Sequence, residues 1–232
     1  MELTPKQSNE LKCEYCNKTF KRASAFEVHV CIKKQRALQR NEKRVRYGLM
    51  AYNIFNNFNS PSKKHVSYDE FCDSQYYNAF VNFGSYLSNV RPLYPEKYIE
   101  YVIKRKLKIK DWSSDSVYEE YVLSVIKRES ADTAIKRTIE TMMEWATVNN
   151  SQWNHYFKYV SPERAVWDIR DGKISPWVIL HSANGKQLLN ALEDAQLEQI
   201  FAAIEPTHWT SQFKRNPIDV QTVKLLVEEY KL

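Results

Sequence analysis

The sequence predicts a mainly α-helical chain that carries a small metal-binding module near its N-terminus. Helix-start signals recur at short intervals along most of the 232 residues, which predicts helices joined by short connections. Three of the four cysteines lie within nineteen residues, between Cys13 and Cys31, which predicts the module. At about 100–200 residues per domain, the chain is long enough for one large domain or two small ones.

Composition excludes several classes of protein. The four glycines stand apart, whereas a phosphate-binding loop or a dinucleotide fold needs them clustered. No apolar run approaches the roughly eighteen residues of a membrane span, and the first residues lack the apolar core of a signal peptide. We therefore expect no membrane contact and a cytoplasmic location. Four cysteines in a chain of this length indicate a metal site in a reducing compartment, not a disulfide scaffold.

Five regions follow one another along the chain. Residues 1–11 are predicted to form a flexible tail, and residues 12–32 the metal-binding module with a small hairpin near Cys13–Cys16. Residues 33–59 are predicted to form one long basic amphipathic helix, because apolar residues recur mostly every three, four or seven positions. Residues 60–66 form a linker marked by Ser60-Pro-Ser-Lys-Lys. Residues 67–232 are predicted to form an all-α helical body.

Helix boundaries in the body follow from local capping chemistry. Two sequences, Ser67–Glu70 and Ser116–Glu119, match a capping box, and the first predicts a helix to about Asn89. A proline in the first turn costs no hydrogen bond, so further starts are predicted where proline follows a loop residue. Ser130 predicts another start, and Gly172 a helix C-terminus. The proline starts lie at Pro95, Pro162, Pro176 and Pro217.

The module contains a motif with zinc-ligand spacing. Cys13 and Cys16 are separated by two residues, and His29 follows after a further twelve. Two thiolates on a tight turn and an imidazole from a helix are soft ligands that suit zinc. Phe20 and Phe26 would form the small core of so short a module, and binding of one zinc ion would supply most of its folding free energy, about 10–16 kcal/mol. The motif, with both aromatic residues, resembles the two-cysteine, two-histidine zinc-finger family, and we expect residues 12–32 to form a ββα zinc finger.

The fourth ligand departs from that family's pattern. Its usual window, three to five residues after the first histidine, holds Ile32, Lys33 and Lys34. Cys31 lies only two residues after His29, and such residues point about 200° apart on a regular helix. Either the helix breaks or tightens so that Cys31 completes the site, which is our prediction, or the fourth ligand is Cys72, His65 or water.

The positive charge is concentrated beside this motif. Ten cations and two acids lie between Lys18 and Arg46, so this segment carries +8 while the rest of the chain carries −2. Such asymmetry indicates a polyanionic partner, most often a nucleic acid. The candidate nucleic-acid-binding residues are Lys18, Lys21, Arg22, Ser24, Lys33, Lys34, Arg36, Arg40, Lys43, Arg44 and Arg46.

We expect this binding to be salt-sensitive and weakly sequence-selective. By resemblance to family fingers, the base-reading positions correspond to Arg22, Ser24, Ala25 and Val28. Of these, Arg22 could grip guanine in a bidentate pair, whereas Ala25 and Val28 offer no hydrogen bonds. One finger covers only about three base pairs. The expectation is therefore that the basic helix grips phosphates while the finger docks.

The order of features resembles a group of viral proteins. A lone finger ending in His-x-Cys, then a Lys/Arg-rich helix, then Gly48-Leu-Met-Ala-Tyr52 is similar to zinc-finger proteins of T4-like tailed phages. This resemblance implies a location in the host cytoplasm or the virion. The expected function is non-catalytic binding of nucleic acid, DNA favoured over RNA, with the body engaging a protein partner in replication, transcription or assembly. The alternatives are a virion or assembly protein whose finger docks protein, and a nuclease or helicase-loader-like accessory protein.

Overall fold

The computed structural model describes residues 11–60 and 65–232, and these form a mainly α-helical structure, as predicted. Most of the predicted tail and residues 61–64 of the predicted linker lie outside the described residues. The chain forms two compact units. Unit 1 comprises the described residues up to Arg91 together with Val102–Ser113, and unit 2 comprises Pro92–Tyr101 and Ser114–Leu232. The helical body predicted from residue 67 is thus distributed over both units.

Unit 1 begins with a two-stranded antiparallel hairpin and continues as helices. The register pairs Leu11 with Phe20 and Lys12 with Thr19. A 3-10 turn, Gln39–Asn41, lies between the second and third helices, and a second, Ile109–Asp111, lies in the later segment. The elements are β1 (Leu11–Lys12), β2 (Thr19–Phe20), α1 (Ala23–Glu27), α2 (Ile32–Leu38), α3 (Lys43–Asn59), α4 (Tyr68–Asp73) and α5 (Tyr77–Val90); α6 (Pro95–Lys104) contributes residues to both units.

The prediction of one continuous basic helix over residues 33–59 is not confirmed. The helical geometry stops after Asn41, because Glu42 adopts an extended conformation (φ −63°, ψ 137°) and α3 starts at Lys43. The reason is tertiary: α2 packs against α4, whereas α3 packs along α5. The helix predicted from Ser67 to about Asn89 is likewise divided at Ser74, where the backbone is extended (ψ 137°).

Local capping chemistry placed most helix starts correctly. Ser67 and Glu70 form the predicted capping box. The box predicted at Ser116–Glu119 is not formed. That helix starts at Asp115, and its N-cap residue, Ser114, makes no side-chain capping hydrogen bond. Gly172 has φ +72° and follows the end of its helix, as predicted. The starts at Pro95, Ala131, Pro162, Pro176 and Pro217 agree with the sequence signals.

The core of unit 1 is built where α3 and α5 approach closely. A Cβ atom on Gly84 would lie 2.0 Å from the carbonyl oxygen of Arg44, so a hydrogen atom is all that fits there. The same approach excludes a side chain at Gly48, whose Cβ would lie 2.9 Å from a carbonyl oxygen of α5. Trp112 is fully buried and packs its ring 5.2 Å from Phe83 and 6.0 Å from Phe55. The two helices and Trp112 therefore form one aromatic core.

Unit 2 is an assembly of short helices around buried aromatic and aliphatic residues. Trp177 and Trp209 meet edge to face at 5.9 Å, and both are buried. Arg137 and Glu129 form a buried ion pair, and the Arg137 guanidinium also donates to the carbonyl of Gly172 at 2.6 Å. The helices are α7 (Asp115–Ile126), α8 (Ala131–Asn149), α9 (Tyr156–Tyr159), α10 (Pro162–Arg170), α11 (Pro176–Ile179), α12 (Ala183–Asn190), α13 (Asp194–Ile204), α14 (Pro206–Arg215) and α15 (Pro217–Tyr230). Among the described residues, no helix has both the length and the apolar character needed to cross a bilayer.

Candidate metal centre

The hairpin places Cys13 and Cys16 at its turn. The amide of Cys13 donates to the carbonyl of Lys18 (2.9 Å), and the amide of Asn17 donates to the carbonyl of Cys13 (2.8 Å). Asn17 adopts a left-handed conformation (φ 58°), which asparagine tolerates better than most residues. This tight turn brings the two thiols to the same side of the module.

His29 and Cys31 come from the short non-helical connection between α1 and α2. The sequence suggested an imidazole supplied by a helix, but α1 ends at Glu27 and His29 lies beyond it. Cys31 is extended (φ −96°, ψ 107°) and begins α2 as its N-cap residue. In extended backbone, residues two apart point to the same side, whereas on a helix they diverge. The end of α1 therefore allows a His-x-Cys pair to face one site.

The four side chains meet as a single group. The ligand atoms of Cys13, Cys16, His29 and Cys31 all lie within 4.8 Å of one another, and Cys16 Sγ lies 3.3 Å from His29 Nε2. In a tetrahedral zinc site with Zn–S bonds of about 2.3 Å, neighbouring sulfurs are about 3.8 Å apart. The group is thus within about 1 Å of that geometry and could hold one metal ion. In the part of the chain that the structure describes, it is the one such group of three or more.

Cys72 and His65, the alternative ligands, are not part of this group. Cys72 is buried in α4, where desolvation raises the pKa of its thiol. His65 is exposed and lies at the beginning of the segment that leads into α4. The structure therefore brings together the four residues that the spacing predicted as ligands.

The thiols of the hairpin turn have different electrostatic environments. Backbone amides of Cys16 and Tyr15 donate to the sulfur of Cys13 and lower its pKa to about 6. The amide of Lys18 lowers the pKa of Cys16, but desolvation and the neighbouring Cys13 outweigh this effect, so that the Cys16 pKa is raised. One thiolate is thus preformed near neutral pH, whereas the second is formed more readily when a cation shares the site.

Aromatic residues pack beside the group. Phe20 lies 4.8 Å from the imidazole of His29 and 5.6 Å from the ring of Phe26, measured between centroids. The predicted contact between the two phenylalanines is therefore present, although Phe26 remains 36% exposed. Between residues 11 and 31, the buried residues are Cys13 and Cys31. Apolar burial alone gives this module little stability.

Several of the predicted phosphate-binding cations contact the chain itself. Lys33 pairs with Asp73 at 2.7 Å. Arg36 donates to the carbonyl of Cys72 and lies 4.2 Å above the ring of Tyr77. These contacts hold α2 against α4 and the start of α5. The additional intrachain contacts are Arg40 over the ring of Tyr68, Lys43 over the ring of Tyr47, and Arg44 with Glu42.

Most of the predicted cations are exposed and make no ion pair with a described carboxylate, including those that contact an aromatic ring. Arg22 is the extended residue before α1, and Ser24 lies in the first turn of α1; both are exposed. Lys43 and Arg46 lie three residues apart on α3, and both are exposed. The exposed predicted cations without such a pair are Lys18, Lys21, Arg22, Lys34, Arg40, Lys43 and Arg46; Lys12, which sequence analysis did not single out, is also exposed and unpaired in this sense.

An exposed apolar stripe beside the metal group was missed in the sequence. Val28, Val30 and Ile32 are 77%, 71% and 61% exposed. They alternate along the chain with His29 and Cys31, which are half-buried and buried, respectively. The alternation Val-His-Val-Cys-Ile is visible in the sequence and could have indicated this arrangement.

No family model, curated protein or solved structure matches the chain. The case for a functional site therefore depends on the geometry of the chain itself. That geometry supports a metal-binding group of three cysteines and one histidine.

Proposed function

We propose that Cys13, Cys16, His29 and Cys31 bind one zinc ion. Thiolate and imidazole ligands suit zinc, and a complete set of four protein ligands is typical of structural sites. Closed coordination leaves no position for a reacting water, so the ion stabilises the module and performs no chemistry. The segment between residues 11 and 31 buries few side chains, so apolar burial supplies little of its folding free energy. Metal binding would supply that free energy instead.

We further propose that the zinc-loaded module and its basic segment bind nucleic acid without catalysis. The observation that carries this proposal is the group of exposed cations without carboxylate partners among the described residues, beside the metal group. These cations would neutralise backbone phosphates and release the counterions condensed on the nucleic acid, which makes binding favourable at low salt. The cations held by α4 and α5, Lys33 and Arg36, serve instead to fix α2.

The proposed contact is chiefly with the backbone of the nucleic acid. The short helix α1 offers Arg22 and Ser24 as polar groups near a base edge, whereas Ala25 and Val28 contribute no hydrogen bonds. Phosphate contacts fix position and orientation but do not read sequence. We propose DNA as the favoured polymer and, from the resemblance to tailed-phage proteins, a setting in phage replication, transcription or assembly, with unit 2 engaging a protein partner.

A salt series tests this function. The purified zinc-loaded chain is titrated against labelled duplex DNA, single-stranded DNA and RNA at increasing salt. If about five phosphates are contacted, the slope of log affinity against log salt on duplex DNA is about −4.5. Removing zinc with a chelator should abolish most binding, and restoring zinc should recover it. Affinity that is independent of both salt and zinc would contradict the proposal.

The apolar stripe supports protein docking as a second candidate function. Val28, Val30 and Ile32 present an exposed apolar surface next to the metal group, and such surfaces commonly contact another protein. Replacing all three with serine separates the two functions, because none carries charge. Nucleic-acid affinity should be unchanged in this variant if the cations bind phosphate. Stable copurification of the wild-type chain with a large assembly, together with no nucleic-acid binding, would favour docking.

A further inference from the structure

A concave pocket of about 380 Å³ lies in unit 1, beside the start of α3. Its floor includes Val45, which is fully buried, and the ring of Tyr68, which is 7% exposed. Arg40, Arg46 and His65 line it with their polar side chains. A pocket with an apolar floor and a few convergent polar groups is typical of a small-ligand site.

The break between α2 and α3 brings the two arginines to this pocket. On a continuous helix, positions 40 and 46 would point about 120° apart, since each residue turns by about 100°. The extended conformation of Glu42 reorients the chain between them, and both line the pocket. The feature that divides the predicted basic helix therefore creates a concentrated positive site.

Arg40 is held in place by the pocket floor. Its guanidinium carbon lies 5.2 Å from the centroid of the Tyr68 ring, a cation–π distance. The hydroxyl of Tyr68 donates to the carbonyl of Arg36, which fixes that ring. Arg46 makes no ion pair with a described carboxylate, so its guanidinium donors are available to a ligand. One arginine is thus held against an aromatic ring, and the other has no carboxylate partner among the described residues.

No carboxylate is among the described residues that line the pocket. Glu70 is nearby, but it accepts from the amide of Ser67 at 2.8 Å and from the Ser67 hydroxyl at 2.9 Å, within the capping box. Two guanidinium groups match a ligand of charge near −2. A phosphate monoester carries about −1.5 to −2 at neutral pH, whereas a phosphodiester of the nucleic-acid backbone carries −1.

We propose that this pocket binds a phosphate monoester, the terminal phosphate of a nucleic-acid strand. Arginine is suited to this ligand because its planar donors pair with phosphate oxygens in a bidentate manner. Asn41, which also lines the pocket, adds an amide donor. This inference rests on the proposed nucleic-acid binding and adds to it a preference for phosphorylated strand ends. Inorganic phosphate and mononucleotides share the same chemistry, so the experiment separates these sources.

The test compares short single strands that differ only at the end group. The full zinc-loaded chain is titrated with labelled oligonucleotides carrying a 5′-phosphate, a 3′-phosphate or hydroxyl ends. We expect one of the two phosphorylated strands to bind at least about tenfold more tightly than the strand with hydroxyl ends. One additional charge-assisted hydrogen bond accounts for a difference of this size. Inorganic phosphate and a mononucleotide are then added as competitors. Either should reduce the preference only at concentrations far above that of the strand.

Arginine variants assign the preference to the pocket. Arg46→Gln and Arg40→Gln should each abolish the preference for the phosphorylated end. Arg22→Gln is the matched control, because it removes the same charge from an exposed arginine that has no ion pair with a described carboxylate and does not line the pocket. The control should weaken all strands alike and keep the preference. Circular dichroism and zinc content establish that each variant is folded.

The outcomes separate this inference from the proposed function. Equal affinity for all strand ends, with normal salt dependence, overturns the pocket assignment alone. Failure of every strand to bind overturns both proposals. If inorganic phosphate competes as effectively as the phosphorylated strand itself, the assignment of the pocket to a strand end is overturned. A preference that survives both pocket variants also overturns it.

Discussion

Replacing Cys31 with serine should weaken zinc binding by roughly two to three orders of magnitude. The four ligands of such a site together provide about 10–16 kcal/mol, so one ligand contributes roughly 2.5–4 kcal/mol, and each 1.4 kcal/mol corresponds to about a factor of ten. Cys31 also caps α2, because its sulfur accepts from the amide of Lys34 at 3.4 Å. Serine is a preferred N-cap residue, so Cys31→Ser removes the soft ligand while it retains the cap.

The assay for this prediction is titration with cobalt(II), followed by competition with zinc. Thiolate-to-cobalt absorption reports the number of bound sulfurs, which should fall from three to two in the variant. Cys72→Ser is the control, since it removes a thiol that lies outside the ligand group. Wild-type zinc affinity in Cys31→Ser, or a loss of affinity in the Cys72 control, would refute the reasoning. Cys31→Ala should in addition lose about 1 kcal/mol of helix capping.

Three further predictions concern stability. Gly84→Ala should destabilise unit 1 by about 1–3 kcal/mol in urea unfolding, because the new Cβ would lie 2.0 Å from the carbonyl oxygen of Arg44. This steric cost outweighs the gain in helix propensity, which is about 1 kcal/mol. Glu129→Ala should lower the free energy of unfolding by about 3–5 kcal/mol, because Arg137 would stay buried and charged without its partner. Adding Arg137→Met to this variant should restore part of the lost stability. Burial lowers the pKa of His181, so the unfolded chain binds a proton at this residue more readily than the folded chain does. The free energy of unfolding should therefore fall as pH decreases below about 6.5, the ordinary pKa of histidine. His181→Gln should make this dependence on pH less steep.

Each of these predictions has an outcome that contradicts it. Unchanged or increased stability of Gly84→Ala would show that α3 and α5 separate at little cost. A loss of less than 1 kcal/mol in Glu129→Ala would show that water reaches Arg137. Equal pH slopes in the wild type and in His181→Gln would assign the acid sensitivity to other groups. All three are measured by equilibrium unfolding with the zinc occupancy held constant.

The local part of the site could be predicted from the sequence. The spacing of Cys13, Cys16 and His29 reflects a turn and a short connection, which are set by residues close in sequence. The role of Cys31 could be predicted only conditionally, since it depends on where α1 ends. Capping serines and prolines located most helix starts for the same reason: their hydrogen bonds are local.

The break at Glu42 could not be predicted, because no local signal opposes a helix there. Residues 33–46 contain no proline or glycine and are rich in lysine and arginine, which favour helix formation. What divides them is tertiary: Arg36 contacts the carbonyl of Cys72, thirty-six positions away. The role of Gly84 could not be predicted from local signals either. Locally, glycine weakens a helix, but in the folded chain its lack of a side chain lets α3 and α5 pack in contact.

The discontinuous composition of unit 1 has a consequence for synthesis on the ribosome. Its last segment, Val102–Ser113, follows residues that belong to unit 2. Trp112 comes from that last segment and packs against Phe55, Phe80 and Phe83. A nascent chain that has reached Arg91 therefore has α3 and α5 but lacks the indole that completes their core. Recombinant fragments that stop at Arg91 carry the same defect, so a shortened chain for studying the metal group must extend at least to Ser113.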